Sequence, residues 1–119
     1  FDGADWTQVG SVIDGEESED WSGWSVAMSS DGNTLAVGAP YNDGNGIWSG
    51  HVRVYKFDGA DWTQVGSDID GEESGDRSGW SVAMSSDGNT LAVGAPYNDG
   101  NGIWSGHVRV YKFDGADWT

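Results

Sequence analysis

The sequence has 119 residues, which is the length of one ordinary domain or of a short array of small repeats. Its 20 Asp and Glu residues outnumber 5 Lys and Arg residues, and the resulting net charge of −15 disfavours nucleic acid and anionic membranes as partners. The absence of cysteine excludes disulfides, thiol catalysis and cysteine-bound zinc. Eight Trp and twenty Gly with only two Pro favour an all-β chain with many tight turns. Because the sequence begins at Phe1, we expect a mature or excised piece.

An internal repeat predicts the domain organisation. The segment that begins at Phe1 recurs at Phe57 and at Phe113, a period of 56 residues that is typical of propeller blades and similar units. We therefore predict one blade repeat over residues 1–56, with its outer strand first, a second over 57–112, and the start of a third copy at 113–119. The first two copies differ at only three positions, which indicates recent duplication or deliberate design. The three pairs are Val12/Asp68, Glu19/Gly75 and Trp21/Arg77.

Each repeat predicts four short strands, which in the first copy cover residues 24–29, 34–39, 51–57 and 62–66. Asp31-Gly32 and Asp58-Gly59 supply the positive φ angles that tight hairpin turns require. Glycine interrupts every segment that could otherwise form a helix. Four tryptophans are predicted to pack within strands: Trp6, Trp24, Trp62 and Trp80.

The predicted fold is all-β, with two tandem four-stranded antiparallel blades of a β-propeller that is completed by self-assembly or by a longer repeat array. An open β-sandwich is the alternative. The innermost strand alternates large and small side chains, so its two faces are expected to nest against different neighbouring blades. Residues 1–7 and 113–119 are the same segment and would compete for one site in a closed ring. An open, end-to-end assembly is therefore favoured.

Several motifs together resemble the FG-GAP repeat, the blade of integrin α-subunit propellers and of many bacterial surface proteins. They occupy residues 23–28 and 31–40, with second copies at 79–84 and 87–96, and the trailing segments 49–55 and 61–64 are similar to the bacterial branch. The resemblance implies propeller blades in an extracellular or cell-surface protein with a structural or adhesive role. Ser22-Gly23 replaces the family's Phe-Gly pair. The integrin-type calcium loop is reduced to residues 30–33, whose single carboxylate falls short of the six to eight oxygens that calcium takes.

Candidate binding residues lie in two long loops that are expected to emerge on one rim of the blades, at 11–20 and 41–49 and their copies at 67–76 and 97–105. Loop aromatic residues could stack on a sugar ring or contact a protein, although filling the gap between blades explains the tryptophans as well. The candidates for ligand or partner binding are Trp21, Tyr41, Trp48, Tyr97 and Trp104. Half of a calcium loop is also present, although turn formation explains it equally. The candidate calcium ligands are Asn42, Asp43, Asn45, Asn98, Asp99 and Asn101.

The remaining polar residues do not predict an enzyme. His51 and His107 open identical strands and lack a third orienting group, and no Gly-rich loop opens a helix. The acidic loops are interpreted as a solvated surface in preference to a calcium site or a surface for basic partners. We predict a non-enzymatic module for self-assembly or extracellular adhesion, whose partners are copies of itself, basic protein surfaces or glycans. A lectin-like glycan-binding module and an engineered symmetric scaffold are the alternatives. No cofactor is expected, with calcium as the alternative.

Overall fold

A computed structural model describes residues 3–119, so the first two residues of the predicted first repeat lie outside the described chain. Eight strands form two antiparallel sheets, and the described residues contain no helix. The strands are β1 (Ser25–Met28), β2 (Thr34–Ala39), β3 (His51–Phe57), β4 (Trp62–Gln64), β5 (Ile69–Asp70), β6 (Ser81–Met84), β7 (Thr90–Ala95) and β8 (His107–Lys112). The all-β prediction is confirmed.

Consecutive strands pair with one another in both sheets, which is the strand order of a propeller blade. The first sheet has the order β1-β2-β3-β4, with β5 also paired to β3, and the second has the order β6-β7-β8. The Asp-Gly turns form as predicted. In the β1–β2 turn, the carboxylate of Asp31 accepts hydrogen bonds from the Ser29 hydroxyl at 2.7 Å and the Asn33 backbone N–H at 3.0 Å. Gly32 supplies the positive φ of 75° at the turn.

The outer strand of each sheet comes from the repeat that follows it in sequence. Residues Trp62–Gln64 and Ile69–Asp70 both pair with β3, so the first sheet extends across the predicted repeat boundary at 56/57. The second sheet is extended in the same way by the third-copy segment, where Phe113 bridges Trp118. The predicted fourth strand, 62–66, ends at Gln64, although the Val65 N–H still donates to the Val54 carbonyl at 2.8 Å.

The two sheets stack with small side chains of the first against large side chains of the second. Residues opposite one another in an antiparallel pair share a face, and the register places Ala27 opposite Ala36 and Ala36 opposite Val54. We call the side of the first sheet that carries Ala27, Ala36 and Val54 the small face, and we use the same name for the corresponding side of the second sheet. The shared core contains Ala36, Val52, Val54, Ile69, Leu91, Val93 and Trp118. Nesting of unlike faces permits dense packing between the sheets.

A glycine allows a close approach between the two repeats. A Cβ atom at Gly38 would lie 2.2 Å from the backbone carbonyl oxygen of Gly79, a separation that no side chain tolerates. Ser25 lies beside it, and its hydroxyl donates to that same carbonyl oxygen at 2.8 Å. The hydroxyl of Ser25 therefore makes a polar contact between the repeats on the small face. A larger side chain at Gly38 would push the two repeats apart.

Each sheet leaves part of its other face exposed. On the first sheet, Val26 and Met28 are 60% and 50% exposed, whereas their copies Val82 and Met84 pack against the shared core. We call the side of the first sheet that carries Val26 and Met28 the large face, and we use the same name for the corresponding side of the second sheet. The small face of the second sheet is also open, with Val110 at 62% exposure against 0% for its copy Val54. The chain thus presents one free large face and one free small face.

Candidate functional site

The long loops meet along one rim. There the loop at 41–49 of the first repeat forms backbone hydrogen bonds with the acidic loop of the second repeat at 67–76 and with the residues that follow it. Backbone N–H groups of Gly75 and Arg77 donate to the carbonyl oxygens of Ile47 and Trp48 at 2.7 and 2.9 Å. The Ser78 N–H donates in the same way to the Ser49 carbonyl oxygen at 2.9 Å. These bonds fix the loops of the first repeat against the second and hold the rim residues in place.

Aromatic side chains on this rim form one connected cluster. Trp21 lies 4.8 Å from Tyr41, and Tyr41 lies 5.1 Å from Trp48, measured between ring centroids. In the second repeat Tyr97 and Trp104 are 5.3 Å apart. The structure therefore brings together all five aromatic residues that the sequence singled out. Their role in ligand binding stays a prediction.

The expectation that Trp24 and Trp80 pack within strands is wrong. Each lies directly before a strand, since β1 begins at Ser25 and β6 at Ser81. Their rings contact each other in a tilted arrangement, with centroids 5.0 Å apart, and connect the aromatic residues of the two repeats. Trp6 likewise lies outside the strands and is 80% exposed. Period-two alternation continues past the true ends of a short strand, so the pattern alone could not exclude these residues.

Arg77 inserts a cation into the aromatic cluster between the repeats. Its guanidinium carbon lies 4.2 Å from the ring centroid of Tyr97 and 5.3 and 5.2 Å from those of Tyr41 and Trp48. The flat, weakly hydrated guanidinium is well suited to such stacking. The first repeat carries Trp21 at the corresponding position.

An open cavity of about 400 Å³ lies on the rim of the first repeat, lined by Glu19, Trp21, Tyr41 and Trp48. Three of these residues have left-handed backbone conformations, with φ of 64° at Glu19, 59° at Trp21 and 57° at Trp48. Such conformations are unfavourable for residues with a side chain and concentrate at functional sites. The cavity is therefore built on strained backbone.

The candidate calcium ligands form hydrogen bonds that hold the loop. Asn42 Oδ1 accepts from the Gly44 N–H at 2.7 Å, and Asp43 Oδ1 accepts from the Trp48 N–H at 2.9 Å. The side-chain amide of Asn45 donates across to the Gly71 carbonyl oxygen at 2.9 Å. In the second copy, Asn98 and Asp99 accept the equivalent turn bonds from Gly100 and Trp104, and the backbone N–H of Asn101 donates to the Ser105 hydroxyl at 3.2 Å. These contacts explain the residues as turn formers, and calcium binding stays a prediction.

The interpretation of the acidic loops as a solvated surface is wrong for one residue in each loop. Asp20 and Asp76 are buried. Their carboxylates accept hydrogen bonds from the side-chain amides of Asn42 and Asn98 at 2.9 and 2.8 Å. The equal spacing of Asp and Asn in both repeats is the only signal in the sequence, and it does not distinguish a buried pair from two solvated residues.

A second polar cluster, which the sequence reasoning missed, surrounds His51. Glu16, His51 and Asp68 bring possible metal-ligand atoms within 4.8 Å of one another. Arg53 already pairs with both carboxylates, donating from Nε to Asp68 at 2.8 Å and from its terminal nitrogen to Glu16. A bound cation would have to compete with this guanidinium. The described contacts therefore fit an ion-pair network better than a metal site.

Burial lowers the pKa of His51 below its ordinary value of 6.5, because desolvation outweighs the attraction of Asp68, and Arg53 acts in the same direction as burial. Its Nδ1 has no hydrogen-bond partner in the described part of the chain and lies 3.8 Å from the Asp68 carboxylate. A histidine whose pKa is lower in the folded state takes up a proton on unfolding. Its contribution to stability is therefore intact above pH 6.5 and falls as the pH drops towards the folded-state pKa.

We expect His51→Gln to remove this part of the pH dependence, which is at most about 1.4 kcal/mol per pH unit. Urea unfolding followed by circular dichroism between about pH 7.5 and 5 tests it for both proteins. Equal loss of stability in wild type and variant over this range would contradict the prediction.

The comparisons with known proteins agree with the architecture. The family model described as "FG-GAP repeat" matches residues 6–55 and 62–111, which is most of the chain, whereas a search of curated proteins gave no match. Repeats of this family are propeller blades and are generally non-enzymatic structural modules. Among the described residues no helix is long and apolar enough to cross a membrane. With two matches, one in each repeat, the chain belongs to the FG-GAP repeat family.

Proposed function

We propose that the chain is a structural interaction module that assembles blade against blade with further copies of the same repeat. The observation that carries the proposal is the identity of the free and buried faces. The exposed residues Val108 and Val110 of the second sheet are copies of Val52 and Val54, which are fully buried against a large face. A surface whose copy is already packed within the chain favours a further copy of the same repeat as its occupant.

The other free face supports the same arrangement. Val26 and Met28 on the first sheet are copies of Val82 and Met84, which pack against a small face. The free large face of one chain therefore complements the free small face of another. Such a contact joins different surfaces of the two partners, so it builds a ring if the rotation closes and a filament if it does not.

Backbone hydrogen-bonding groups on the rim are also complementary between the two ends of the chain. The Ile47 carbonyl accepts from Gly75 within the chain, whereas its copy Ile103 is 86% exposed. In a head-to-tail assembly the N–H of Glu19, the copy of Gly75, would donate to Ile103 of the next copy. The same blade-to-blade contact would therefore satisfy polar groups as well as cover apolar side chains.

Light scattering of two complementary variants tests the proposal. Val110→Lys damages only the free small face and Val26→Lys only the free large face, so neither variant should associate alone. The wild-type chain should exceed its 12.6 kDa mass as the concentration rises. A mixture of the two variants should stop at twice that mass, because only one intact pair of faces remains.

Each outcome has a definite meaning. A discrete multiple of the chain mass for the wild type indicates a ring, and a mass that grows without limit indicates a filament. A monomeric wild type at all concentrations, or association of either variant alone to the wild-type extent, would contradict assembly through these faces.

We also propose an extracellular or cell-surface location. FG-GAP repeats typically occur in extracellular or surface proteins. The net charge of −15 also favours solubility of a chain that exposes several tryptophan side chains to water. An adhesive role would use the rim, since the faces of the blades are occupied in the assembly.

A further inference from the structure

The cavity on the rim of the first repeat is lined by two of the three residues that distinguish this repeat from the second. Glu19 and Trp21 line it together with Tyr41 and Trp48, and the second repeat has Gly75 and Arg77 at their positions. We propose that this cavity binds an organic cation, an alkylammonium or guanidinium group, between its aromatic rings with Glu19 as the counter-ion. The proposal goes beyond blade assembly, because the assembly contact on the rim uses the backbone N–H of Glu19, whereas cation binding uses its carboxylate.

The composition of the cavity walls favours a cation over a neutral ligand. Three electron-rich aromatic rings and one carboxylate line about 400 Å³, enough for a small ammonium or guanidinium group. The rings are inclined rather than parallel, at 60° between Trp21 and Tyr41 and 86° between Tyr41 and Trp48. The centroid distances of 4.8 and 5.1 Å place these rings in contact with one another, so a cation would lie against them on the side that lines the cavity.

The second repeat shows which chemistry the same aromatic framework accepts. There the framework of Tyr97 and Trp104 carries its own cation, since the Arg77 guanidinium lies 4.2 Å from the Tyr97 ring centroid. In the first repeat Trp21 stands in place of this arginine and Glu19 adds a carboxylate, while Arg77 also reaches the rings of Tyr41 and Trp48 at 5.3 and 5.2 Å. The aromatic rings of both repeats therefore accept a guanidinium group, which is the chemistry proposed for the ligand of the cavity.

Glu19 occupies a backbone conformation that favours glycine. Its φ of 64° is unfavourable for glutamate, whereas Gly75 adopts the equivalent φ of 79° without a side chain to strain. A Cβ at Gly75 would meet nothing within 4 Å, so the space at this position does not require either residue. A glycine would serve the loop at least as well, and the carboxylate is the only feature that the glutamate adds.

Arg77 opposes a second cation, because it already lies 5.3 and 5.2 Å from the rings of Tyr41 and Trp48. It does not line the cavity, whereas Glu19 does. The net charge of −15 further favours cations at the surface of the chain. The balance of charge at the cavity therefore remains attractive.

Tryptophan fluorescence titration and calorimetry of the full chain test the proposal with two probes. Choline represents a free quaternary ammonium ligand, and an arginine-containing tripeptide with blocked ends represents a basic segment of a partner. Saturable binding of either probe, with one site per chain, is the expected result, and the tighter probe identifies the source. The uncharged tert-butyl analogue of choline should bind about tenfold more weakly or worse.

Exchange of residues between the repeats provides matched controls. Glu19→Gly combined with Trp21→Arg gives the first repeat the second repeat's residues and should abolish the site. Gly75→Glu combined with Arg77→Trp should raise the stoichiometry from one to two. Glu19→Gly alone should weaken binding about tenfold while raising the melting temperature, a combination that a purely structural role of Glu19 would not produce.

The proposal is overturned if neither probe saturates below about 10 mM, if the uncharged analogue or a monosaccharide binds as tightly as choline, or if the Glu19→Gly/Trp21→Arg variant binds like wild type. Val110→Lys, which leaves the rim intact, should bind the probe normally. Failure of blade assembly and failure of cation binding are therefore distinguishable.

Discussion

Trp118→Ala is expected to lower the free energy of unfolding by about 3–5 kcal/mol. Trp118 is only 7% exposed and belongs to the core between the sheets. Its indole N–H donates to the Val65 carbonyl oxygen at 3.1 Å, and its ring lies 5.1 Å from that of Phe113. Truncation would leave a cavity and an unsatisfied carbonyl group at the outer edge of the second sheet.

Trp6→Ala is the matched control, because Trp6 occupies the same position in the repeat and is 80% exposed. Its loss should change stability by less than about 0.5 kcal/mol. Urea unfolding followed by circular dichroism measures both variants without depending on the tryptophan signal. Equal effects of the two substitutions would show that the third-copy segment does not complete the second sheet.

Val54→Lys is expected to destabilise the chain by about 4 kcal/mol or more and to leave it largely unfolded. Val54 has no exposed surface and faces the second sheet within the shared core. A lysine there would lose its hydration against Leu91 and Val93, which offer no charge or hydrogen bond. A small domain has only about 5–15 kcal/mol of stability from which to compensate such a loss.

Val110→Lys is the matched control for this substitution, since the two valines are copies of each other. Val110 is 62% exposed, so the variant should remain within about 0.5 kcal/mol of wild type as a monomer. Thermal unfolding at low concentration, where assembly does not contribute, measures both. A Val54→Lys chain as stable as Val110→Lys would mean that the two sheets do not stack through the small face.

The strands and turns follow closely from the sequence because their causes are local. The predicted segments 34–39 and 51–57 are strands β2 and β3 with the same bounds. Asp31-Gly32 forms the predicted turn, since the aspartate accepts hydrogen bonds within the turn and the glycine adopts positive φ at no steric cost. Family membership also follows from local motifs.

The site was less accessible to sequence reasoning because its contacts join residues that are distant along the chain. The five predicted aromatic residues do cluster, but the sequence pattern places Trp24 and Trp80, which connect the two repeats, in strands. The pattern also predicts that Asp20 lies in solvent, although it is buried against Asn42, which follows 22 residues later. No local pattern distinguishes a charged residue that finds such a partner from one that remains in water.

The sequence by itself determined the repeat, the strands, the turns and the family, all of which depend on a residue and its near neighbours. Only the tertiary structure decided which copy of each residue is buried. Val54 and Val110 share the same local sequence, as do Trp6 and Trp118, yet one member of each pair lies in the core and the other in solvent. The physical reason is that burial depends on the sheet that packs alongside, and at positions where the repeats have the same residue only the neighbouring sheet differs.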